Sequence, residues 1–288
     1  MWLYICLIIF VTCSLVTARD LADPPALAAP KTEIEVLHWD ARIFYIHRLL
    51  SNEECDHIIK KATARLARSG VVNTATGGSV VDDVRTSEGM FMNRAEDPVV
   101  ETIERRIANF SHLPVWHGEG LQVLRYQRNQ KYDAHWDFFF DKENSVNGGN
   151  RYATVLTFLN DVEEGGETVF PKVPAPNGDN GPLFTECARY HLAAKPRKGD
   201  AVMFHSMKPN GQLEERSMHT ACPVTRGIKW SMPKWIHVEH YNLGGDKYDN
   251  ELKSKLDEEA ELLRTTDRRK AANQGAIISN GDVNRSDL

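Results

Sequence analysis

The most constraining feature of this 288-residue chain is a change of pattern after residue 114. From there on, short apolar or alternating runs are separated by clusters of Gly, Pro and Asn. Such runs are shorter than typical helices and have the length of β-strands. They cover residues 121–126, 152–159, 201–204 and 235–238. The pattern predicts an antiparallel sandwich or barrel.

Two helices are predicted upstream of this region. Ser51 and Glu54 have the spacing of a capping box, which marks the start of a helix. A second helix begins at Asp97-Pro98, since proline is favoured in the first helical turn, and runs to about Phe110. We expect both helices to pack outside the sheets. The predicted fold class is therefore mainly β with flanking helices (α+β).

The first part of the chain also contains two predicted strands and a long loop. Alternation predicts strands at 34–37 and 43–46. Residues 69–90 are polar, contain glycine and lack periodicity, and long loops of this kind in compact domains tend to be functional. No repeat at solenoid spacing interrupts the pattern. We predict one domain over 33–245.

The amino terminus is predicted to direct the chain into the secretory pathway. Residues 2–18 form the only long apolar run, and it ends in small residues of the kind that precede signal-peptide cleavage. Residues 1–18 are therefore predicted to be a signal peptide. The run lacks a basic start, so a short membrane anchor over 2–18 is the alternative. Residues 19–32 are rich in Pro and Ala and are predicted to be a linker.

The carboxyl terminus is predicted to be a charged tail over 246–288. Residues 250–272 are rich in Glu, Lys and Arg, with Leu252, Leu256 and Leu263 at helical spacing. This pattern predicts a solvated amphipathic helix, followed by a disordered polar end. A helix that binds a partner is the alternative.

Cysteine usage and glycosylation sequons agree with a destination in the endoplasmic reticulum or Golgi lumen, or outside the cell. Three cysteines remain after the apolar run, so at most one internal disulfide forms. Cys55 lies in a helical pattern and is predicted to be packed and free, which pairs Cys187 with Cys222. The sequons at Asn109 and Asn284 could be used only in the secretory lumen.

The overall charge excludes one class of partner. The net charge is -5 and the isoelectric point is about 6.1. Nucleic-acid binding by bulk electrostatics requires the opposite sign. We therefore expect no nucleic-acid partner.

A His-x-Asp motif is the first candidate for chemistry. On a strand, residues i and i+2 face the same side, so His135 and Asp137 would converge. With a distant third histidine they would form the facial triad of non-haem Fe(II) oxygenases. The motif alone is weak, because roughly 0.7 matches are expected by chance and a second copy occurs at His38 and Asp40. Candidate third ligands are His191, His205, His219, His237 and His240.

Several ordered segments resemble the catalytic domain of prolyl 4-hydroxylases, especially the small plant and algal type. They are EGLQVLRY, QKYDAHWDFF, GGNRYATVLTFLNDVEEGGETVFP, KPRKGDAVMF, MHTACPV and KWSMPKWIHV, and upstream VVDDVRTSEGMF. The resemblance covers roughly residues 40–240. It implies a double-stranded β-helix (jelly-roll) core, and it selects the copy of the motif at His135 over the one at His38.

The resemblance also implies the cofactors. Fe(II) would be bound by His135, Asp137 and His219. The cosubstrate 2-oxoglutarate would be held at its distal carboxylate by Lys229, ten residues after the third ligand. Ascorbate would restore iron that is oxidised in uncoupled turnovers. Further contacts to 2-oxoglutarate are implied for Tyr126 and Thr168.

The resemblance implies that the substrate is a proline-rich peptide or protein. The products would be 4-hydroxyproline, succinate and carbon dioxide. Catalytic positions near the oxidising centre are Tyr132, Arg151 and His237, and positions near the peptide are Arg85, Ser87, Glu119 and Trp235. The loop at 69–90 would close over the peptide, and Cys187 and Cys222 match paired cysteines.

Two other functions are compatible with parts of this pattern. The first is another 2-oxoglutarate oxygenase, such as a peptidyl lysyl hydroxylase, although those enzymes usually hold the cosubstrate with arginine. The second is a metal-free jelly-roll that only binds peptides. A binding module has no use for the full set of His135, Asp137, His219 and Lys229.

Overall fold

A computed structural model of the chain describes residues 31–72, 79–80 and 84–281, with the backbone alone for 71–72, 79–80 and 267–281. The predicted signal peptide or anchor at 1–18 and the sequon at Asn284 lie outside this range. Within the described part of the chain, no helix has the length and hydropathy needed to cross a membrane.

The described residues form sixteen strands and three α-helices. The strands are β1 Glu33–His38, β2 Ile43–His47, β3 Ala67–Arg68, β4 Val71–Val72, β5 Ser79–Val80, β6 Glu88–Met92, β7 Leu121–Tyr126, β8 Tyr132–His135, β9 Arg151–Phe158, β10 Glu164–Gly165, β11 Thr168–Pro174, β12 His191–Ala194, β13 Ala201–His205, β14 His219–Ala221, β15 Val224–Arg226 and β16 Lys229–His237. The helices are α1 Asn52–Thr63, α2 Pro98–Ser111 and α3 Lys247–Gly281.

Two antiparallel sheets form the core of the fold. The larger has eight strands in the order β1-β2-β13-β9-β16-β7-β6-β3, and the smaller has four in the order β12-β11-β14-β8. Apolar side chains of β2, β9 and β13 pack against those of β11 and β12, so the two sheets face each other. Helices α1 and α2 cover the outer face of the larger sheet. The predicted jelly-roll with external helices is therefore confirmed.

Strand β9 shows why this sequence forms a layered structure. Ala153 and Val155 pack in the cluster under the helices, whereas Leu156 and Phe158 pack between the two sheets. This is the two-residue period of a strand with both faces buried. The sequence of such a strand is a nearly continuous apolar run, and residues 152–159 have this pattern.

The predicted N-terminal ends of both helices are confirmed. The Ser51 side chain accepts a bond from the backbone N–H of Glu54, and the Glu54 carboxylate accepts one from the N–H of Ser51. The Asp97 side chain caps α2 by accepting from the backbone N–H groups of Val99 and Val100, and Pro98 is in the first turn. These bonds satisfy N–H groups that have no partner within the helix.

Two segments differ from the sequence expectations. Strand β16 begins at Lys229 rather than at 235, although it contains Pro233. Its ladder with β7 ends at Ser231, so Pro233 is not required to donate on that side. The loop expected over 69–90 contains strand residues, and its end forms β6 beside β7. Residues 73–78 and 81–83 of that loop lie outside the described residues.

The predicted tail helix is present and longer than expected. Helix α3 extends to Gly281, so the polar end after residue 272 is helical up to that point. Leu256 and Leu263 are exposed, as expected for a solvated helix, but Tyr248 is fully buried. The first turn of α3 therefore packs on the domain, beyond the predicted boundary at 245.

The cysteines are arranged as predicted. Cys187 and Cys222 form a disulfide, and Cys55 is free and buried in α1. The sequon residue Asn109 is exposed in the last turn of α2.

Candidate active site

Three potential metal ligands meet at the edge of the four-stranded sheet. His135 ends β8, and His219 begins β14 and pairs with it across the ladder. Their Nε2 atoms lie 3.7 and 3.8 Å from the carboxylate oxygens of Asp137. One ligand atom from each residue lies within 4.8 Å of the other two. Within the described residues this is the one such group of three.

Backbone carbonyls orient both imidazoles toward the common point. Nδ1 of His135 lies 2.7 Å from the carbonyl oxygen of Asp133, and Nδ1 of His219 lies 3.0 Å from that of Ser217. A carbonyl only accepts, so each Nδ1 is the donor in its bond and each Nε2 is left facing the common point. Burial, with a contribution from His219, lowers the pKa of His135 to about 3. That ring is therefore neutral and able to bind a metal at neutral pH.

Asp137 completes the set as an ionised ligand. Burial alone would raise the pKa of Asp137, but His219, His135 and Arg151 hold it below its usual value. Thr154 Oγ1 also donates to the carboxylate at 2.7 Å. Two imidazoles and one carboxylate around a common point are the ligand set that suits Fe(II) with open positions.

The second His-x-Asp copy lies in a different environment. His38 ends β1, and its Nδ1 accepts from the backbone N–H of Ala41 at 3.0 Å. Asp40 is exposed in the turn that follows. The imidazole of His38 therefore caps a turn, and this copy belongs to no group of three ligands in the part of the chain that the structure describes.

Lys229 is a buried cation in the same cavity. Its side chain is 1% exposed, and Nζ donates to the carbonyl oxygen of Gly166 at 2.7 Å. No described carboxylate comes within ion-pair distance. Burial lowers the pKa of Lys229 to about 7, and the charge of Glu167 opposes this. Because a buried charge without a partner is costly, the cavity favours a ligand that brings an anion.

The two other residues expected to contact 2-oxoglutarate lie beside Lys229. Tyr126 pairs with Lys229 across the β7–β16 ladder, and its ring centre is 5.6 Å from Nζ. Thr168 begins β11, and its buried Oγ1 has no hydrogen-bond partner in the described residues. Both line one cavity together with Lys229, His135 and His219.

Glu119, Arg151 and His237 form a buried charged network beside the metal cavity. One carboxylate oxygen of Glu119 lies 2.7 Å from Nε of Arg151 and 2.9 Å from Nε2 of His237. Burial opposes ionisation of Glu119, but Arg151 and His237 lower its pKa to about 2. Nδ1 of His237 faces the carbonyl oxygen of Gly149 at 2.9 Å. Both ring nitrogens thus face oxygen atoms, which fixes the orientation of the ring between Glu119 and Gly149.

An open groove of about 920 Å³ runs over the metal cavity and this network. Trp235 lies under the Arg151 guanidinium, 3.9 Å from ring centre to carbon, and its buried Nε1 has no partner in the described residues. Tyr132 stacks on His135 with ring centres 3.6 Å apart. The groove also contains exposed Phe140 at one side.

Arg85 lies on this groove, whereas Ser87 lies behind it. Arg85 is 4.7 Å from the ring centre of Tyr132 and donates to Gln122 Oε1 at 2.9 Å. Ser87 is fully buried and accepts from Nε of Arg85 at 3.3 Å. A direct contact between Ser87 and a peptide is not possible in this conformation, so its effect would pass through Arg85.

The sequence patterns did not predict two supporting residues. Thr154 lies on the inner face of β9, where alternation with Leu156 and Phe158 could have placed it in the cavity. Gln122, a buried partner of Arg85, has no local signal of function, because alternation in β7 does not distinguish it from a packed residue.

Known proteins of one family match this chain. The model of the 2OG-Fe(II) oxygenase superfamily matches residues 121–237. Probable prolyl 4-hydroxylase 3 of Arabidopsis thaliana is 48% identical over 212 residues, which cover 73% of this chain and 74% of the relative. Prolyl 4-hydroxylase 5 of the same plant is 46% identical over 213 residues, which cover 73% of each chain.

A similar solved structure is the viral collagen prolyl hydroxylase of Paramecium Bursaria Chlorella virus-1 in complex with 2-oxoglutarate. It is 27% identical, with a TM-score of 0.49, over 67% of this chain and 94% of that one. The identity of the sequence relatives and the share of the chain that they cover establish the family. The chain belongs to the prolyl 4-hydroxylase family of the 2OG-Fe(II) oxygenase superfamily.

Proposed function

We propose that this protein hydroxylates C4 of proline residues in proline-rich secretory proteins, with Fe(II), O2 and 2-oxoglutarate. The balanced reaction converts the peptide, O2 and 2-oxoglutarate into the hydroxylated peptide, succinate and carbon dioxide. One observation carries the proposal: a His-Asp-His group and an unpaired buried lysine line one cavity. The first suits iron and the second suits a dicarboxylate.

The residues present fit both groups. His135, Asp137 and His219 would hold iron through two nitrogens and one oxygen, with the imidazoles oriented by backbone carbonyls. When bound, Fe(II) supplies the oxidation by coupling O2 reduction to 2-oxoglutarate decarboxylation. Lys229 would hold the distal carboxylate, which restores a partner for its buried charge. Thr168 Oγ1 is a free buried donor for the same carboxylate.

The groove supports an extended peptide with proline at the reactive position. Proline-rich chains adopt the polyproline II form, which aromatic grooves bind with little ordering cost. Tyr132 and Trp235 provide flat apolar surface next to the metal ligands. The unpartnered Nε1 of Trp235 is a donor for a peptide carbonyl. Arg151, held by Glu119, orients the peptide over the cavity.

The natural setting is part of the proposal. The apolar run at 2–18, either as a signal peptide or as a membrane anchor, would bring the domain into the endoplasmic reticulum or Golgi lumen. The disulfide between Cys187 and Cys222 suits an oxidising compartment. Asn109 is exposed and accessible to glycosylation there. Ascorbate would keep the iron reduced.

The experiment is a coupled turnover assay on the chain without residues 1–18. The protein is incubated with Fe(II), ascorbate, carboxyl-labelled 2-oxoglutarate and a panel of peptides that contain proline or lysine. We expect one carbon dioxide released for each oxygen atom added to proline, located at C4 by mass and amino-acid analysis. Hydroxylation of lysine alone would support the lysyl alternative. Peptide binding without decarboxylation in iron-replete buffer would support the binding-module alternative.

A further inference from the structure

Arg94 lies outside the cavity and the groove, yet it contacts the backbone on both sides of the charged network. Its side chain is fully buried in the turn between β6 and α2. One guanidinium nitrogen donates to the carbonyl oxygens of Trp116 and Gly118, each at 3.3 Å, and to that of Tyr241 at 2.8 Å. Arg94 thus joins two segments that are more than a hundred residues apart in sequence.

These two segments carry the network that borders the peptide groove. Gly118 directly precedes Glu119, whose own N–H donates to the carbonyl oxygen of Trp235 at 3.0 Å. Tyr241 stacks on His237 with ring centres 4.5 Å apart. Its N–H also donates to the carbonyl of Trp116 at 3.0 Å. A shift at Arg94 would therefore move Glu119 and His237 together.

The start of the tail helix fixes the guanidinium from the other side. Arg94 forms ion pairs with Asp246 and with Asp249, the latter at 2.8 Å. Asp249 also accepts from His240 at 2.7 Å and from the N–H of Gly245 at 2.8 Å. The first turn of α3 is thereby held against Arg94, while residues 253–259 of the helix are exposed.

We infer that Arg94, held by the first turn of α3, is a positioning residue for peptide recognition. Its hydrogen bonds fix the position of the backbone next to Glu119 and His237. Arg94 itself contacts neither the peptide nor the metal ligands. The inference rests on the proposed function, in which Arg151, held by Glu119, orients the peptide. It gives the anchored start of the charged tail a role in the binding of substrate.

A second arginine, which is partly buried, provides a control. Arg106 on α2 pairs with Glu54 at 2.6 Å and donates to the carbonyl oxygen of Leu49 at 3.0 Å. It joins helix α1 to α2 and lines neither the cavity nor the groove. Arg106→Lys also disturbs an arginine–carboxylate pair and a bond to a backbone carbonyl, but these bonds do not involve the segments next to Glu119 and His237.

The test compares Arg94→Lys, Arg106→Lys and Asp249→Asn in the otherwise unchanged chain. For each variant, the KM for peptide, the KM for 2-oxoglutarate, kcat and the melting temperature are measured. We expect Arg94→Lys to raise the KM for peptide about tenfold, as for loss of one or two charge-assisted bonds. Asp249→Asn should raise it by a smaller factor, and the KM for 2-oxoglutarate should stay within about twofold in both.

Arg106→Lys should lower the melting temperature without changing the KM for peptide. Equal peptide KM values in the two arginine variants, with an active wild type, would overturn this inference and leave the proposed function intact. A wild type that hydroxylates no peptide would overturn both. If Arg94→Lys does not fold, Asp249→Asn decides: an unchanged KM for peptide would contradict the role of the helix.

Discussion

Two lysines of strand β16 are buried five residues apart, and they differ in what neutralises their charge. Lys234 points to the helix side, where Nζ lies 2.6 Å from Glu104 and also donates to the carbonyl of Glu119. Lys229 points between the sheets, where Gly166 provides the one hydrogen-bond acceptor for Nζ among the residues that the structure describes. An odd separation places them on opposite faces of the strand. The fold supplies a counterion for one lysine and leaves the other to a ligand.

The largest expected effect is on stability, at Lys234. Lys234→Met should lower the free energy of unfolding by about 3–5 kcal/mol, because it leaves the Glu104 carboxylate buried and unpaired. Urea denaturation measures this, and the KM for 2-oxoglutarate should change little. Adding Glu104→Gln should recover part of the loss. If the stability of Lys234→Met is unchanged, the ion pair between Lys234 and Glu104 does not stabilise the fold, and the contrast with Lys229 is wrong.

The next effect is on cosubstrate binding, at Lys229. Lys229→Met should weaken 2-oxoglutarate binding by about 1.5–3 kcal/mol, which is roughly 10- to 150-fold, because a charge-assisted bond is lost. The free energy of unfolding should stay equal or rise, since an unpaired buried charge is removed. Calorimetric titration of the metal-loaded protein measures the affinity. Equal affinity for 2-oxoglutarate in this variant would contradict the role of Lys229 in binding the cosubstrate.

A pH dependence follows from the pKa of Lys229, which burial lowers to about 7. The protonated form binds the carboxylate, so 2-oxoglutarate affinity should be constant below pH 7. Above it, affinity should fall by up to about tenfold per pH unit, as one proton is taken up on binding. Calorimetry at pH 8 in buffers of different ionisation enthalpy counts that proton. Lys229→Met should take up none.

The same group affects stability with a defined sign. Between about pH 7 and the ordinary lysine pKa, the unfolded chain binds more protons at Lys229 than the folded chain does. The free energy of unfolding of the ligand-free protein should therefore rise with pH in this window, and it should lose this part of its stability as pH falls toward 7. A smaller slope in Lys229→Met would support this account, and an identical slope would contradict it.

The smallest effect is expected at the second His-x-Asp copy. His38→Ala removes one hydrogen bond to the N–H of Ala41 and should cost about 1 kcal/mol of stability. Turnover should stay within about twofold. His135→Ala, the matched change in the other copy, should abolish turnover and Fe(II) binding. Loss of Fe(II) binding in His38→Ala would show that the wrong copy was assigned.

Local patterns were enough to predict much of the fold. The caps at Ser51 and Asp97 and the short apolar runs of β7, β9 and β13 are signals carried by neighbouring residues. The missed parts depend on distant partners. Strand β16 tolerates Pro233 because its ladder with β7 has ended at Ser231. The first turn of α3 is held by distant residues, with Asp249 paired to Arg94 and Tyr248 bonded to Glu104.

The sequence predicts which residues form the site, but it does not predict the contacts between them. Two identical motifs, at His38 and His135, cannot be distinguished by spacing. The position of His135 within the β-rich half favours that copy, and the family resemblance selects it. The cross-strand pairing of His135 with His219 gives the physical reason for that choice. The burial of Ser87 behind Arg85 and the link from Arg94 to Glu119 involve contacts between separate elements, which no local pattern encodes.

The most direct test of the two-lysine account is a crystal structure of the protein with Mn(II) and 2-oxoglutarate under anaerobic conditions. We predict Mn(II) bound by His135, Asp137 and His219, with Lys229 Nζ at about 2.7–2.9 Å from a cosubstrate carboxylate oxygen. Lys234 should remain paired with Glu104. A cosubstrate bound elsewhere, with Lys229 still donating only to Gly166, would contradict the account.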